Sequence, residues 1–365
     1  MQAPLFIGLM SGTSMDGVDA VLASFGPQGA QIHQTHSLPM PVALRDELLA
    51  LQHPGHNELA RASIAALQLT ELYAQACAPW TQGSEKNLIR AIGVHGQTIR
   101  HAPDQGYTLQ LNAPALLAER CGVDVIADFR SRDIAAGGQG APLVPIVHEA
   151  LFRHEHGRVI LNLGGIANIS LLLPGRDVFG FDTGPANMLL DAWVNKHQGQ
   201  SYDKDGQWAS SAASDPALLA SLLSEPWFAL PAPKSTGRDL FNLGWLQKHL
   251  DRVDPKGEIQ PAAVQSTLMD LTVHSVAHAI RPYADQIQEL IVCGGGAANP
   301  VMLKRLGDLI AMPIRSSAEL GMDPQSIEAL AFAWLAYAHI ERIPAGLPAV
   351  TGARRATVLG ACYPV

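Results

Sequence analysis

The chain has little of what would tie it to a secreted scaffold, a membrane or a nucleic acid. Of its 365 residues only four are cysteine, Cys77, Cys121, Cys293 and Cys362. They are scattered and none forms a Cys-x-x-Cys pair, which argues against a disulfide framework or a zinc site and for reduced thiols. No run of about 18 apolar residues occurs, and the N-terminus lacks a basic stretch followed by an apolar segment and a cleavage site. Neither a membrane span nor a signal peptide is therefore expected, and a soluble cytoplasmic protein is. Charged residues are sparse at 16%, against about 25% in ordinary domains, which leaves room for an oligomer interface. The net charge of −8 lacks the basic footprint of a nucleic-acid binder. It does not exclude a phosphate ligand, because backbone amides and a metal neutralise phosphate locally.

What is present is a large apolar fraction, 47% of the chain, enough for two buried cores. Two apolar runs, Leu5 to Met10 and Val18 to Phe25, flank a turn of glycine, hydroxyl and acidic residues. The pattern predicts a hairpin. Gly12 and Gly17 let a ligand approach the backbone, and Ser11, Thr13 and Ser14 add hydroxyls. Asp16 and Asp19 are placed to hold a cation. The same residues also suit an ordinary hairpin turn.

Along the chain, Ala30 to Leu38 reads as a third strand, Val42 to Leu51 as a helix, and Glu58 to about Trp80 as a longer helix capped by Asn57. Leu88 to Val94 and Val123 to Ala127 read as strands, with a helix over Pro114 to Cys121 between them. A glycine-rich loop, Ser131 to Gly140, is the expected crossing between domains, and Pro142 to His154 is expected to be helical. A second strand, Gly-Gly turn and strand follows from Arg158 to Leu173, then a short run from Val178 to Phe181. Helices are expected over Ala186 to His197, Gln260 to Ala284, Val301 to Leu309 and Ser326 to Ile340, and a buried strand over Glu289 to Val292. The tail from Ala349 to Pro364 is a last strand or a packed terminal segment. The order predicts an α/β protein with mixed sheets, duplicated around two glycine-rich hairpins, and a ligand cleft.

Several positions carry chemistry and a plainer reading side by side. Asp182, at the end of a short apolar strand before Thr183, Gly184 and Pro185, suits a general base or a helix cap. Gly294, Gly295 and Gly296 suit a ligand approaching a helix N-terminus or a tight strand-to-helix turn. Arg130 suits a carboxylate or phosphate, or an ion pair with Asp128 or Asp133. His95 suits a hydrogen-bonded turn. His148, His154 and His156 lack metal-ligand spacing. Lys234 to Asp239 lacks the upstream glycine of a phosphate loop and reads as a loop closing over substrate or joining a dimer interface.

Together the motifs resemble one family, the anhydro-N-acetylmuramic acid kinases. The resemblance runs through Phe6 to Asp19, His95 to Thr98, Arg132 to Pro145, Leu161 to Asn168, Asp182 to Pro185, Pro233 to Arg238, Val292 to Gly296 and Glu328 to Trp334. Eight motifs lie collinear over nearly the whole chain. Departures are small. Asn112, Ala113 and Pro114 stand where a glycine turn is common, and Ala297 and Ala298 replace more polar residues.

The resemblance implies the two-lobed actin-like ATPase fold of sugar kinases, Hsp70 and actin, with lobes over 1–130 plus about 341–365 and over 131–340. It implies that ATP, water and 1,6-anhydro-N-acetylmuramic acid give N-acetylmuramic acid 6-phosphate and ADP, in cell-wall recycling. Asp182 is then the base. Gly12, Thr13, Ser14, Met15, Asp16, Gly17, Val18 and Asp19 cradle phosphates, with Gly164, Gly165 and Asn168 as the second phosphate loop and Gly294, Gly295 and Gly296 on the adenosine side. Gln97, Arg130 and Glu328 are candidates for the sugar. Mg²⁺ is expected near Asp16 and Asp182 through water, and a homodimer is implied by the resemblance alone. The competing readings are a kinase of the same fold for another sugar, and a non-catalytic nucleotide-dependent binding protein.

Overall fold

The computed structural model describes residues 3–12, 15–26 and 29–365. Contacts divide the chain into two units: Met1–Leu151 with Ser326–Val365, and Phe152–Gln325.

Unit 1 holds β1 (Leu5–Met10), β2 (Gly17–Gly26), β3 (Gly29–Pro39), β4 (Ile89–Val94), β5 (Gln97–Ala102), β6 (Tyr107–Leu111) and β7 (Val125–Ala127). Its main sheet has the order Ala361–Tyr363, β7, β4, β1, β2, β3. β1, β2 and β3 pair antiparallel, with Met10 opposite Asp19. β4 runs parallel to both β1 and β7. The C-terminal strand closes the edge antiparallel to β7, with Ala361 opposite Ala127. β5 and β6 form a separate antiparallel hairpin, which the polar composition of that segment had hidden.

Unit 2 holds β8 (Arg158–Leu163), β9 (Ile166–Leu172), β10 (Phe179–Pro185), β11 (Glu289–Cys293) and β12 (Ile314–Ser316), in the order β10, β9, β8, β11, β12. β8, β9 and β10 are antiparallel, and β11 runs parallel to β8 and β12. This order and these directions repeat those of β3, β2, β1, β4 and β7. The duplication expected from the two glycine-rich hairpins is therefore a duplication of whole sheet topology, although residue identity between the halves is low.

Packing explains where the units divide. The helix Ile327–Ile340 is apolar on every side, and such a helix belongs in a core. It lies against β1 and β4 so closely that a Cβ on Gly8 would overlap the Ala329 carbonyl, and one on Gly93 the Phe332 carbonyl. The helix therefore belongs to unit 1. The family resemblance implies lobe boundaries at 130 and 340, whereas this division falls at 151 and 325.

Several element bounds also differ from expectation. The helix expected over Pro142 to His154 spans Val144–Phe152, with Pro145 in its first turn, where a missing N–H costs nothing. The long helix ends at Ile280 rather than Ala284, and 3₁₀ turns continue over Arg281–Gln286, where Pro282 breaks the donor pattern. Asn57 does precede the helix Glu58–Thr81, but it sits in the left-handed region with φ 52° and its side chain caps nothing.

Candidate functional site

Each unit presents one cluster of polar side chains at the ends of its central strands, and the two are built differently.

In unit 1 the β1–β2 turn is only partly a ligand surface. The Met15 N–H donates to the Gly12 carbonyl at 3.2 Å and the Met40 N–H to the Asp16 carbonyl at 2.8 Å. Met15 has φ 54° and a fully buried side chain, and Val18 is equally buried. Both therefore offer a ligand nothing but backbone. The hydroxyl of Ser11 is not part of an anion nest; it is buried on the Tyr73 hydroxyl at 2.8 Å. Asp19 accepts from Ser37 at 2.6 Å, and Asp16 is exposed. Thr13 and Ser14 lie outside the described residues.

Beside that turn, His95 follows β4 and donates its backbone N–H to the Leu9 carbonyl at 3.1 Å. Its ring packs 4.8 Å from that of Phe332. Nε2 of His95 faces Arg130, with Nη2 at 2.8 Å and Nε at 3.2 Å. Burial, and then the Arg130 charge, hold the imidazole pKa well below its usual value. The ring is therefore neutral, Nε2 accepts, and the proton sits on Nδ1. That buried Nδ1 has no hydrogen-bond partner among the described residues, and neither has the buried Oε1 of Gln97. One orphaned donor and one orphaned acceptor two residues apart suit the hydroxyl and amide groups of a sugar. Gly96 between them has φ 78°, and a Cβ there would lie 2.5 Å from Asn112 Nδ2.

Arg130 spends most of its fork inside the protein. Besides His95, its Nη1 donates to the Gly140 carbonyl at 2.8 Å. Burial lowers the guanidinium pKa to about 10, and Glu328 and then Asp133 oppose that shift. Gln97, Arg130 and Glu328 thus share one neighbourhood with His95, the residue for which the sequence suggested only a turn. The sequence signal was there: a histidine at a strand end, followed by glycine and glutamine.

In unit 2, strand register places Cys293, Asn162, Asn168 and Asp182 opposite one another in a row across β11, β8, β9 and β10. Asp182 ends that row. Its N–H donates to the Lys234 carbonyl at 3.0 Å, and its Oδ2 accepts from the Thr236 N–H at 2.9 Å. The irregular segment 234–236 thus straps the edge of β10. The register shifts between Asp182 and Gly184, a bulge of the kind that re-aims side chains beside active sites. Burial lifts the Asp182 pKa to about 7, and the Thr236 N–H partly offsets that rise. Asp182 is thus a strand-edge carboxylate, and none of its hydrogen bonds caps the following helix.

The Gly164–Gly165 turn is held by its carbonyls. The Gly164 carbonyl accepts from the Asn187 N–H at 3.1 Å, and that of Gly165 from Ala186 at 2.9 Å and Met188 at 3.1 Å. A Cβ on Gly164 would meet nothing closer than 3.6 Å, so its open side is available to a ligand. The glycine triplet divides by role. Gly294 has φ 80°, with its Cβ position against Asn162 Oδ1, and a Cβ on Gly296 would lie 2.6 Å from that of Leu163. Both are required by packing on β8. Gly295 alone has room, with its nearest neighbour at 4.0 Å.

Among the described residues no three His, Cys, Asp or Glu side chains gather into a metal cluster. A single carboxylate with water is nevertheless the way Mg²⁺ is commonly held beside phosphates.

Residues 4–365 match the family model described as anhydro-N-acetylmuramic acid kinase. The chain belongs to the anhydro-N-acetylmuramic acid kinase family. A relative of that name from Bordetella pertussis (strain Tohama I / ATCC BAA-589 / NCTC 13251) is 58% identical over 363 residues, covering 99% of this chain and 96% of its own. Another from Pseudomonas fluorescens (strain Pf0-1) is 48% identical over 366 residues, covering 99% of each. Among solved structures, the activator of the 2-hydroxyisocaproyl-CoA dehydratase from Clostridium difficile with bound ADPNP is 13% identical over 93% of this chain and 96% of its own, with a TM-score of 0.47.

Membership in this kinase family settles the enzyme class. The activity is phosphoryl transfer to 1,6-anhydro-N-acetylmuramic acid, with ATP as donor. The anhydro-N-acetylmuramic acid kinase reading of the motifs therefore stands, against a binding protein without catalysis. No helix among the described residues is long and apolar enough to cross a membrane.

Proposed function

We propose that Asp182 is the general base that couples opening of the anhydro ring to phosphoryl transfer. The observation that carries this is its environment. The carboxylate ends a cross-strand row of polar residues, is fixed by the Thr236 N–H at 2.9 Å, and has its pKa lifted by burial to about 7. A base poised near the working pH combines the deprotonated state with enough driving force to accept a proton. In the proposed step a water loses a proton to Asp182 as its oxygen attacks the anomeric carbon. The bond from that carbon to the bridging oxygen breaks, and the freed O6 attacks the γ-phosphorus of ATP, releasing ADP. Phosphoryl transfer of this kind depends on positioning and charge neutralisation rather than on covalent help.

The remaining assignments follow the same geometry. Gly12 to Asp19 in unit 1 and Gly164, Gly165 and Asn168 in unit 2 hold phosphates through backbone and short polar groups, and Gly294 to Gly296 form the adenosine-side turn. Of these, Gly164 and Gly295 would accept a Cβ at ordinary contact distance, 3.6 and 4.0 Å from its nearest neighbours. Gln97 and Glu328 bind the sugar, and Arg130 orients His95, whose Nδ1–H is a further donor to it. Asp16 and Asp182 would hold Mg²⁺ through water, and it would supply charge neutralisation on the phosphates. We place the enzyme in the cytoplasm as a homodimer, its product entering cell-wall recycling, on the family resemblance.

Turnover in H₂¹⁸O tests the coupling. Label is expected in the anomeric hydroxyl of the product, and its absence would remove the hydrolytic step. Asp182→Asn is expected to lower kcat by about 10²–10⁴-fold, the usual worth of a positioned base, with ATP affinity within about twofold. Normal turnover in that variant would remove Asp182 as base.

A further inference from the structure

Unit 2 contains a cavity of about 930 Å³ on the side of β10 away from Asp182. That volume suits a drug-sized ligand. Phe181 and Thr183, the neighbours of Asp182 on β10, line it, because side chains alternate between the two faces of a strand. Phe228, Ile280, Ile287 and Ile310 make further walls apolar.

The ionisable lining is one-sided. Lys234, His274, His278, Arg281 and Tyr283 line the cavity, and no Asp or Glu does, in a chain of net charge −8. His274, His278 and Arg281 are spaced i, i+4 and i+7, so they share one face of the helix Pro261–Ile280 and its end. Lys234 Nζ donates to the Phe228 carbonyl at 2.8 Å and the Trp227 carbonyl at 3.2 Å, and lies 4.3 Å from the centre of the Trp227 ring.

The cavity wall is also the strap of the catalytic carboxylate. Ala232 and Lys234 line it. The Lys234 carbonyl accepts the Asp182 N–H, and the Thr236 N–H two residues on holds Oδ2. A molecule pressing on Phe228 and Lys234 therefore acts on the segment that aligns Asp182.

We propose that this cavity is a second ligand site of the enzyme, for an anionic amphiphile with an apolar body and one carboxylate or phosphate head, and that its occupancy modulates turnover through the 228–236 segment. The binding part stands on the cavity alone, and the coupling part rests on the reading of Asp182 as base. Arg281 and the helix-face histidines meet the head, and the apolar walls take the body. The absence of any acidic side chain from the lining excludes a cationic amphiphile, and it favours a small anion over a second copy, which would set this same basic helix face against itself.

The full chain tests this with 8-anilinonaphthalene-1-sulfonate, an anionic dye whose fluorescence rises in apolar surroundings. One saturable site per chain is expected, displaced by decanoate or decyl phosphate but not by equal decanol. Whichever of the two acids displaces at lower concentration identifies the preferred head group. Arg281→Glu is expected to weaken dye binding about tenfold, as loss of one charge-assisted contact would. Ala277→Trp, which fills the cavity, is expected to abolish binding, and circular dichroism melts check that both variants fold. Equal dye affinity in the Arg281→Glu chain, or displacement by decanol as effective as by decanoate, would overturn the site. So would exclusion of the dye together with a dimer that Arg281→Glu converts to monomer in sedimentation, because a second copy would then cover the cavity. For the coupling, saturating decanoate or decyl phosphate is expected to change kcat about fivefold, a typical coupling between two sites, in the native chain and not in Arg281→Glu. An unchanged kcat would overturn it. The dye titration repeated on Asp182→Asn reads the site without the base, so failure of the one is distinguishable from failure of the other.

Discussion

At the scale of the residue, Asp182 joins function to a stability cost. Its ordinary carboxyl pKa of 3.8 rises to about 7 in the folded chain. Between those values the native state binds more protons than the unfolded state, so this group makes stability fall as pH rises through the window. The cost is absent below pH 3.8 and complete above about 7, where the carboxylate is ionised and able to act as base. Two outcomes follow. kcat should drop about tenfold per unit as pH falls below 7, the slope of a single required deprotonation. In paired thermal melts Asp182→Asn should gain on the native chain from pH 5 to pH 8, because the amide never has to ionise. Equal melting differences at both pH values would show that the Asp182 pKa is not raised in the folded chain. His95 makes a second residue-scale case. If its Nδ1–H is the sugar donor proposed above, His95→Ala should raise KM for the sugar and leave that for ATP unchanged. A loss of one hydrogen bond from a neutral donor is worth about 0.5–1.5 kcal/mol, or about two- to tenfold.

At the scale of the element, the contact between the helix Ile327–Ile340 and the unit 1 sheet leaves no room for a side chain at two positions. Gly8 and Gly93 are not in left-handed backbone. They are glycine because the helix carbonyls of Ala329 and Phe332 occupy the space of a side chain. Gly93→Ala should lower stability by about 1–3 kcal/mol, as overpacking does, measured by denaturant unfolding. A neutral result would mean that the helix can withdraw without cost. The same helix carries Glu328 in its first turn, beside Arg130, so a shift of the helix should also raise KM for the sugar.

At the scale of the whole molecule, unit 1 is discontinuous and is closed by its C-terminal segment. Asp133 is fully buried. Its Oδ1 accepts from the Thr351 hydroxyl at 2.7 Å and its Oδ2 from the Gly140 N–H at 2.8 Å, so residues 218 apart in sequence are tied to one carboxylate. Thr351→Val leaves that oxygen short of a donor and should cost about 1–3 kcal/mol, with Thr351→Ser retaining most of the stability. Equal stability of the Val and Ser variants would show that the hydroxyl is not what holds the segment. This closure could not be read from the chain in order. The tail from Ala349 onward shows only a short apolar pattern, and its partners at 126, 133 and 139 are far away in sequence.

The sequence by itself determined the hairpins, the glycine turns and the family, because these are local patterns of alternation and turn chemistry in a fixed order; it ended the short run from Val178 at Phe181, whereas β10 runs on through Asp182 to Pro185. Tertiary structure decided what each residue in those patterns is for. It buried Met15 and Val18 and turned Ser11 onto Tyr73, so these three side chains are not open to a ligand. It assigned Gly294 and Gly296 to packing and left space only at Gly295. It also set the basicity of Asp182, since the N–H that holds Oδ2 comes from a segment 54 residues away. Desolvation is a property of everything that surrounds a group, and no stretch of sequence contains its own surroundings.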